Sequence, residues 1–503
     1  MPDRVTQELS DYIAERIGLH FPRQRWTDLQ RGLAGAMTEL GFSDLTTAAE
    51  WLLSAQHTKA ELDVLASHLT IGETYFFREK RTFELLRTKL LPQLIDERRK
   101  TNRRLRIWSA ACCTGEEPYS LAILLKQLLH DLSDWNVTIL ATDINSRFLK
   151  KAVAASYRDW SFRETPVGIK DRYFKQHVDG SYELVPEIKN LVTFVQLNLV
   201  EDVFPSLVAE TNAMDLIFCR NVLMYFSPAQ ARKVATNLYR ALVDGGWLVV
   251  SPSETSQILF QQFLTVNFPG TIVYQRASNR FEHQQAPVLI DYSPADFNDS
   301  SDAFVAQTPI TPVIPQEVVV SSSIIETEEI GESLFEIALS FYDRGEYAQV
   351  VETLLSATKE RAVIESKTFS LLTRALADQG KLADALLWCD RWVETEKLNA
   401  NACYLRAIIL QELGHVDQSR LSLQRAVYID PDLVLPHFAL GNLALARGKL
   451  TEARKHYVNA LSLLRQLPLH EVLPESDGLT AGRLIEIITA LSGTGEALSS
   501  SRR

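Results

Sequence analysis

A chain of 503 residues is longer than one hydrophobic core ordinarily supports, so two or three domains are expected. Its 46% hydrophobic and 23% charged residues are those of globular protein and exclude disorder throughout. With 52 basic against 63 acidic side chains, a formal charge of −11, the chain as a whole is not a nucleic-acid binder.

Residues 1–75 place Leu9, Tyr12, Ile13 and Ile17 at helical spacing, with Gly18 and Gly41 as helix stops, and predict a small all-α domain. The start is charged where a signal peptide is apolar, and no later run is long enough to cross a bilayer; a cytoplasmic protein without membrane insertion is expected. Arg23, Arg25 and Arg31 fall on the second helix, as a solvated face or as a surface for an acidic partner. The stretch LTIGETYFFREK (69–80) follows. Phe76 and Phe77 read as core, whereas Arg78 cannot lose its charge and must meet an anion or water. A structural ion pair and a carboxylate-bearing ligand satisfy that need equally.

Residues 76–277 alternate strands and helices. RIWSAACCTGEEPYS (106–120) reads strand, tight turn, helix, and NVTILATDIN is a buried strand ending in Asp143. A carboxylate there can accept two ribose hydroxyls in a Rossmann-like fold, or cap the next helix. Further strands end at Asn198, at Asn221 and, after a Gly-Gly turn, near Glu254; FLTVNFPGTIVYQR predicts an antiparallel edge hairpin. Another hairpin, inserted at about 163–190, more often covers a surface than grips a peptide. The turn at 111–115 lacks the GxGxxG that cradles a pyrophosphate, and Glu116 and Glu117 would repel one. Their charge suits a cation, such as the ammonium and sulfonium of S-adenosylmethionine. Cys112 and Cys113 read as space-fillers, and the five cysteines have neither CxxC nor His-rich spacing, so no metal site is expected.

Residues 278–330 turn to Pro, Ser, Thr and acidic residues and read as an acidic flexible linker. Beyond it, over 331–503, Gly345, Gly380, Gly414 and Gly448 recur every 34 or 35 residues between amphipathic helices. That period resembles the tetratricopeptide repeat, with GRLIEIITALS as a capping helix and Trp392 at a usually small position.

Together TYFFRE (74–79), RIWSAACCTGEEPYS, ATDIN (141–145), NLV (198–200), DLIFCRNVLMYF (215–226) and DGGWLVVSPSE (244–254) resemble the CheR-type chemotaxis receptor methyltransferases, over roughly residues 5–277. The resemblance implies a Rossmann-like class I methyltransferase domain between the small all-α domain and the helical repeats. It implies methyl transfer from S-adenosylmethionine to glutamate carboxylates on cytoplasmic helices of chemoreceptor-like proteins. By motif, Thr74, Arg78, Glu116, Asp143, Asn198, Leu199, Asn221 and Val222 line the cofactor pocket. Asp143 takes the ribose, Asn198 and Leu199 the adenine, and Glu116 the amino-acid end, with Glu117 structural; Arg78 and Tyr225 are expected to orient the accepting carboxylate. Gly72 stands where many members have Asn. The repeats imply a protein partner of unstated identity. The rival expectation is a scaffold that binds S-adenosylmethionine without turnover and acts through its repeats.

Overall fold

The computed structural model describes residues 1–54, 57–201, 203–277, 327–359 and 364–500. The linker expected over 278–330 lies outside them as far as residue 326.

Four helices open the chain, Asp3–Ile17, Trp26–Leu40, Leu45–Ser54 and Lys59–Leu69. Leu9, Ile13, Leu29, Leu33, Leu52 and Leu65 meet at their centre. Gly18 (φ 92°) and Gly41 (φ 83°) end the first two in the left-handed conformation that a Cβ resists. Arg23 and Arg25 depart from expectation: they form a 3-10 turn entered from the extended Pro22, and of the three arginines only Arg31 lies on the second helix.

A seven-stranded sheet follows. Numbering its strands alone, they are β1 (Arg104–Ala110), β2 (Asn136–Asp143), β3 (Val192–Gln196), β4 (Met214–Cys219), β5 (Leu242–Val249), β6 (Leu264–Phe268) and β7 (Thr271–Gln275). Their spatial order is β3-β2-β1-β4-β5-β7-β6. The first five are parallel and the β6–β7 hairpin closes the edge antiparallel, as the sequence predicts. Every residue of β1 is buried, because layers cover both faces. Successive side chains therefore enter different cores: Ile107 and Leu216 on one face, Trp108 and Ile217 on the other. The order reverses at β1, and the crevice that such a reversal leaves at the carboxyl ends of the strands is where ligands enter this fold class.

The expected Gly-Gly turn before β5 is instead part of that strand, with a ladder irregularity opposite Met214. A Cβ on Gly246 would stand 2.9 Å from the Val243 carbonyl oxygen and 3.0 Å from that of Met214, so glycine lets the two strands approach. Within 163–190, Phe174–Gln176 and Tyr182–Leu184 pair antiparallel, and Ser156–Tyr157 adds a third strand to this small separate sheet. Phe174 of this region and Phe162 just before it pack on Phe76, with ring centroids 5.0 and 5.1 Å away.

The last layer is helical. Thr327–Asp343 and Tyr347–Lys359, Ser366–Asp378 and Leu382–Thr395, Ala400–Glu412 and Val416–Ile429, and Val434–Ala446 and Leu450–Leu464 form four pairs, followed by Ala481–Ser500. Gly345, Gly380, Gly414 and Gly448 occupy the four inter-helix turns at φ 71–80°. These are tetratricopeptide-type units at the expected period. Trp392 fits by stacking parallel to Phe369 at 6.0 Å. Arg276 donates from Nη2 to the Gly345 carbonyl oxygen (2.6 Å), one of the bonds that seats the array on the α/β domain. Among the described residues no helix is long and apolar enough to cross a membrane, and no group of three or more His, Cys, Asp or Glu is placed to hold a metal ion.

Candidate active site

A cleft of about 1090 Å³, counted to its open mouth, lies at the carboxyl ends of β1 to β4 and is roofed by the amino-terminal helices. Thr74, Arg78, Asp143, Asn198, Leu199, Asn221, Val222 and Tyr225 all line it. Segments 150 residues apart in sequence thus converge on one space.

The turn after β1 makes the floor. Ala111 (φ 63°) and Cys113 (φ 52°) are held left-handed, as is Gly115 (φ 93°). The helix Glu116–Leu128 begins immediately afterwards. Its amino end is pulled close to its neighbours, since a Cβ on Gly115 would stand 2.9 Å from the Ala152 Cβ. Gly115→Ala should therefore lower stability by at least about 1–2 kcal/mol, the cost of a left-handed L-residue; a denaturant midpoint equal to the parent's would refute this. Burial pushes the Cys113 thiol up to about 12 and raises the Cys112 thiol well above its ordinary value, so both remain protonated space-fillers.

Asp143 ends β2 beside this turn. Its Oδ2 accepts from the Cys113 N–H (2.8 Å) and Oδ1 from the Asn145 N–H (2.8 Å), leaving lone pairs on both oxygens. The helix-cap alternative goes to its neighbour: the Asn145 side chain caps Ser146–Ala154. Burial, partly offset by backbone N–H groups, raises Asp143 to about 6.

The two glutamates exchange the positions expected of them. Glu116 does not line the cleft; its carboxylate accepts from Thr114 Oγ1 (2.6 Å) and Ser161 Oγ (2.9 Å), tying the turn to the stretch just before the inserted hairpin. Glu117 does line it, accepting from Ser109 Oγ (2.7 Å) and pairing with Arg220 (3.0 Å). One residue along a helix is a rotation of 100°, and this one carries Glu117 toward the cleft.

Arg220 was not singled out from sequence. Its side chain is 1% exposed, and besides Glu117 it pairs with Glu79 (2.7 Å) and donates to the Arg78 carbonyl oxygen (3.0 Å). It joins three segments, the end of β4, the TYFFRE loop and the first turn of the helix. Phe77 (φ 56°) and Glu79 (φ 67°) are left-handed in that loop. Glu254 plays a similar part beyond β5. Its carboxylate accepts from the N–H groups of Asn221 (2.6 Å) and Val222 (2.7 Å), shaping the segment that presents Tyr225.

Arg78 donates to the Glu73 carbonyl oxygen (2.7 Å), lies 5.7 Å from the centre of the Tyr75 ring, and faces the cleft. Arg25 joins it on the cleft wall, its guanidinium 5.4 Å from the centre of the Tyr225 ring. Arg23 and Arg31 pair with Asp3 (2.5 Å) and Asp28 (3.3 Å) on the surface. Gly72 sits against Phe148, whose Cζ would be 2.8 Å from an added Cβ, so a side chain there requires that ring to move.

The profile of the CheR methyltransferase SAM binding domain matches residues 72–269. Chemotaxis protein methyltransferase 2 of Vibrio cholerae is 34% identical over 266 residues, covering 53% of this chain and 90% of its own length. The chain belongs to the CheR methyltransferase family. A chemotaxis protein methyltransferase of Borreliella burgdorferi is 31% identical, over 48% of this chain and 85% of its own. The probable biofilm formation methyltransferase WspC of Pseudomonas aeruginosa is 25% identical over 447 residues, 88% of this chain and 95% of its own, and so matches into the repeats as well. S-adenosylmethionine is accordingly the cofactor of this CheR-family domain, and the cleft fits it. Asp143 retains lone pairs for hydroxyl donors, and the buried Glu117 offers negative charge to a cationic end.

Proposed function

We propose that this methyltransferase esterifies glutamate carboxylates on cytoplasmic helices of chemoreceptor-like proteins. The observation that carries the reading is the charge of the cleft. Asp143 and Glu117 share it with Arg25, Arg78 and Tyr225, so one space offers acceptors to a cationic donor and cations to an anionic acceptor. Asp143 is assigned to the ribose, Asn198 and Leu199 to the adenine, and Thr74, Asn221 and Val222 to the remaining wall. Bound S-adenosylmethionine supplies an electrophilic methyl group on a sulfonium. A glutamate with a pKa of about 4.3 is already ionised at neutral pH and needs no base. The protein's part is to hold the carboxylate oxygen in line and strip some of its water, a task for Arg78 and Tyr225.

Transfer of radiolabelled methyl to receptor-bearing membranes tests the reading. The label should leave as methanol in mild base, as an ester does and a methylamide does not. Arg78→Ala should lower kcat/KM by about tenfold or more, and Tyr225→Phe by less and with cofactor affinity retained. Base-stable label, or full activity in both variants, would be incompatible with the assignment.

A further inference from the structure

The first helices of the repeats form an inner face, and the chain fills it with two of its own segments. One comes from the α/β domain: Leu207 lies within the apolar core of the array, and Val208 packs beside it. The other is the stretch between the last two helices, LHEVLPESDGLT, residues 469–480. Two of its three carboxylates, those of Glu475 and Asp477, meet Arg374, which is 8% exposed. Glu475 Oε2 accepts from Arg374 Nε (3.0 Å) and Nη2 (2.8 Å) and from Ser370 Oγ (2.8 Å), and Asp477 pairs with the same guanidinium. The second Asp477 oxygen accepts the Leu207 N–H (3.0 Å), so the two segments are held to one another.

An open cleft of about 680 Å³ adjoins this arrangement, lined by Tyr404, Ile408 and Phe438 of the array and by Arg104 and Arg106 of β1. Glu412 answers both arginines, at 2.5 and 3.0 Å, with side chains 4–8% exposed. The groove thus combines a buried cation, apolar walls and vacant volume alongside. These are the requirements of a receptor for an extended peptide bearing carboxylates beside apolar residues.

We propose that the inner face of the repeats is a binding site for an acidic, extended segment of a partner protein, and that residues 471–478 occupy it in cis as a stand-in. Exchange has a consequence for the catalytic cleft. The segment running from Leu197, Asn198 and Leu199 on the cleft wall leads within ten residues to Leu207, whose N–H is held by Asp477. A partner that displaces Asp477 releases that tether, and linkage requires the affinities of partner and cofactor to change each other by the same factor.

The probe is a fluorescent synthetic peptide of residues 469–480, titrated by anisotropy into the full chain. Glu475→Gln together with Asp477→Asn weakens the cis occupant, so that chain should bind the peptide at least tenfold more tightly than the unaltered one. Adding Arg374→Ala, or using a peptide that carries the same Glu475→Gln and Asp477→Asn changes, should abolish binding. Equal affinity for the unlocked and unaltered chains, or equal binding of acidic and amide peptides, overturns the proposal. Should the unlocked chain fail to fold, hydrogen exchange on the unaltered chain decides. Millimolar peptide should accelerate exchange of the amides of the chain's own displaced segment, those of Leu473, Leu479 and Ala481, and unchanged exchange there refutes the site.

Discussion

Arg220→Met should unfold at markedly lower denaturant and lose cofactor binding. The substitution removes the cation shared by Glu79 and Glu117 and leaves two carboxylates facing each other beside β4. Removing one side of a buried pair costs about 3–5 kcal/mol, because the remaining charge has neither water nor partner. Burial already raises Glu117, with Arg220 opposing the shift, so without Arg220 it becomes protonated more readily and offers less negative charge to the cofactor. The Arg78 carbonyl oxygen loses a donor as well, which loosens the loop carrying the acceptor-facing guanidinium. Arg220→Lys should recover only part of the loss, since one ammonium cannot reproduce a planar fork across three partners. Thermal unfolding and calorimetric titration with S-adenosylmethionine check both halves. A variant within about 1 kcal/mol of the parent, binding normally, would remove Arg220 from its central place.

Asp143→Ala is expected to weaken cofactor binding by about a hundredfold, the scale of two charge-assisted hydrogen bonds. The pH dependence is the sharper test. Asp143 stands at about 6 in the free chain, above the ordinary value near 4. Between those values the folded state holds a proton that the unfolded state has released. Stability of the free protein therefore falls as pH rises from about 4 to 6, by about 3 kcal/mol in all, and is level above that. Ligand hydroxyls that donate to the carboxylate favour its ionised form, so cofactor affinity should rise with pH up to about 6 and then stay constant. Asp143→Ala should abolish this dependence, as titrations at pH 5, 6 and 7.5 would reveal. A parent chain whose affinity is flat across that range contradicts the assignment to the ribose.

Much of the architecture is local in origin and legible from residue order. The repeats announce themselves because each inter-helix turn demands a left-handed residue, and Gly345, Gly380, Gly414 and Gly448 supply it at constant spacing. β1 and the strands beside it read as apolar runs because parallel strands are buried on both faces. Gly18 and Gly41 mark helix ends for the same reason as the repeat glycines. Where the reading missed, the deciding fact was an angle or a distant neighbour. Glu116 and Glu117 are both acidic and adjacent, and only the rotation of their helix relative to β1 decides which lines the cleft. The Gly-Gly pair before Trp247 could serve a turn or a strand, and the closeness of the Met214 carbonyl oxygen made it the latter.

The order of the motifs, the strand-turn-helix around Thr114, the carboxylate at Asp143 and the repeat period are legible from residue order alone, since each follows from backbone preferences and periodicities that act within a few residues. It took the packed fold to pair Arg220 with Glu117, to lay Arg25 over Tyr225 and to seat the acidic stretch at 471–478 in the groove of its own repeats. Those contacts join residues about 100 to 200 apart, or a stretch to a face built by separate helices. Their partners are selected by the packing of whole layers, which no local preference encodes.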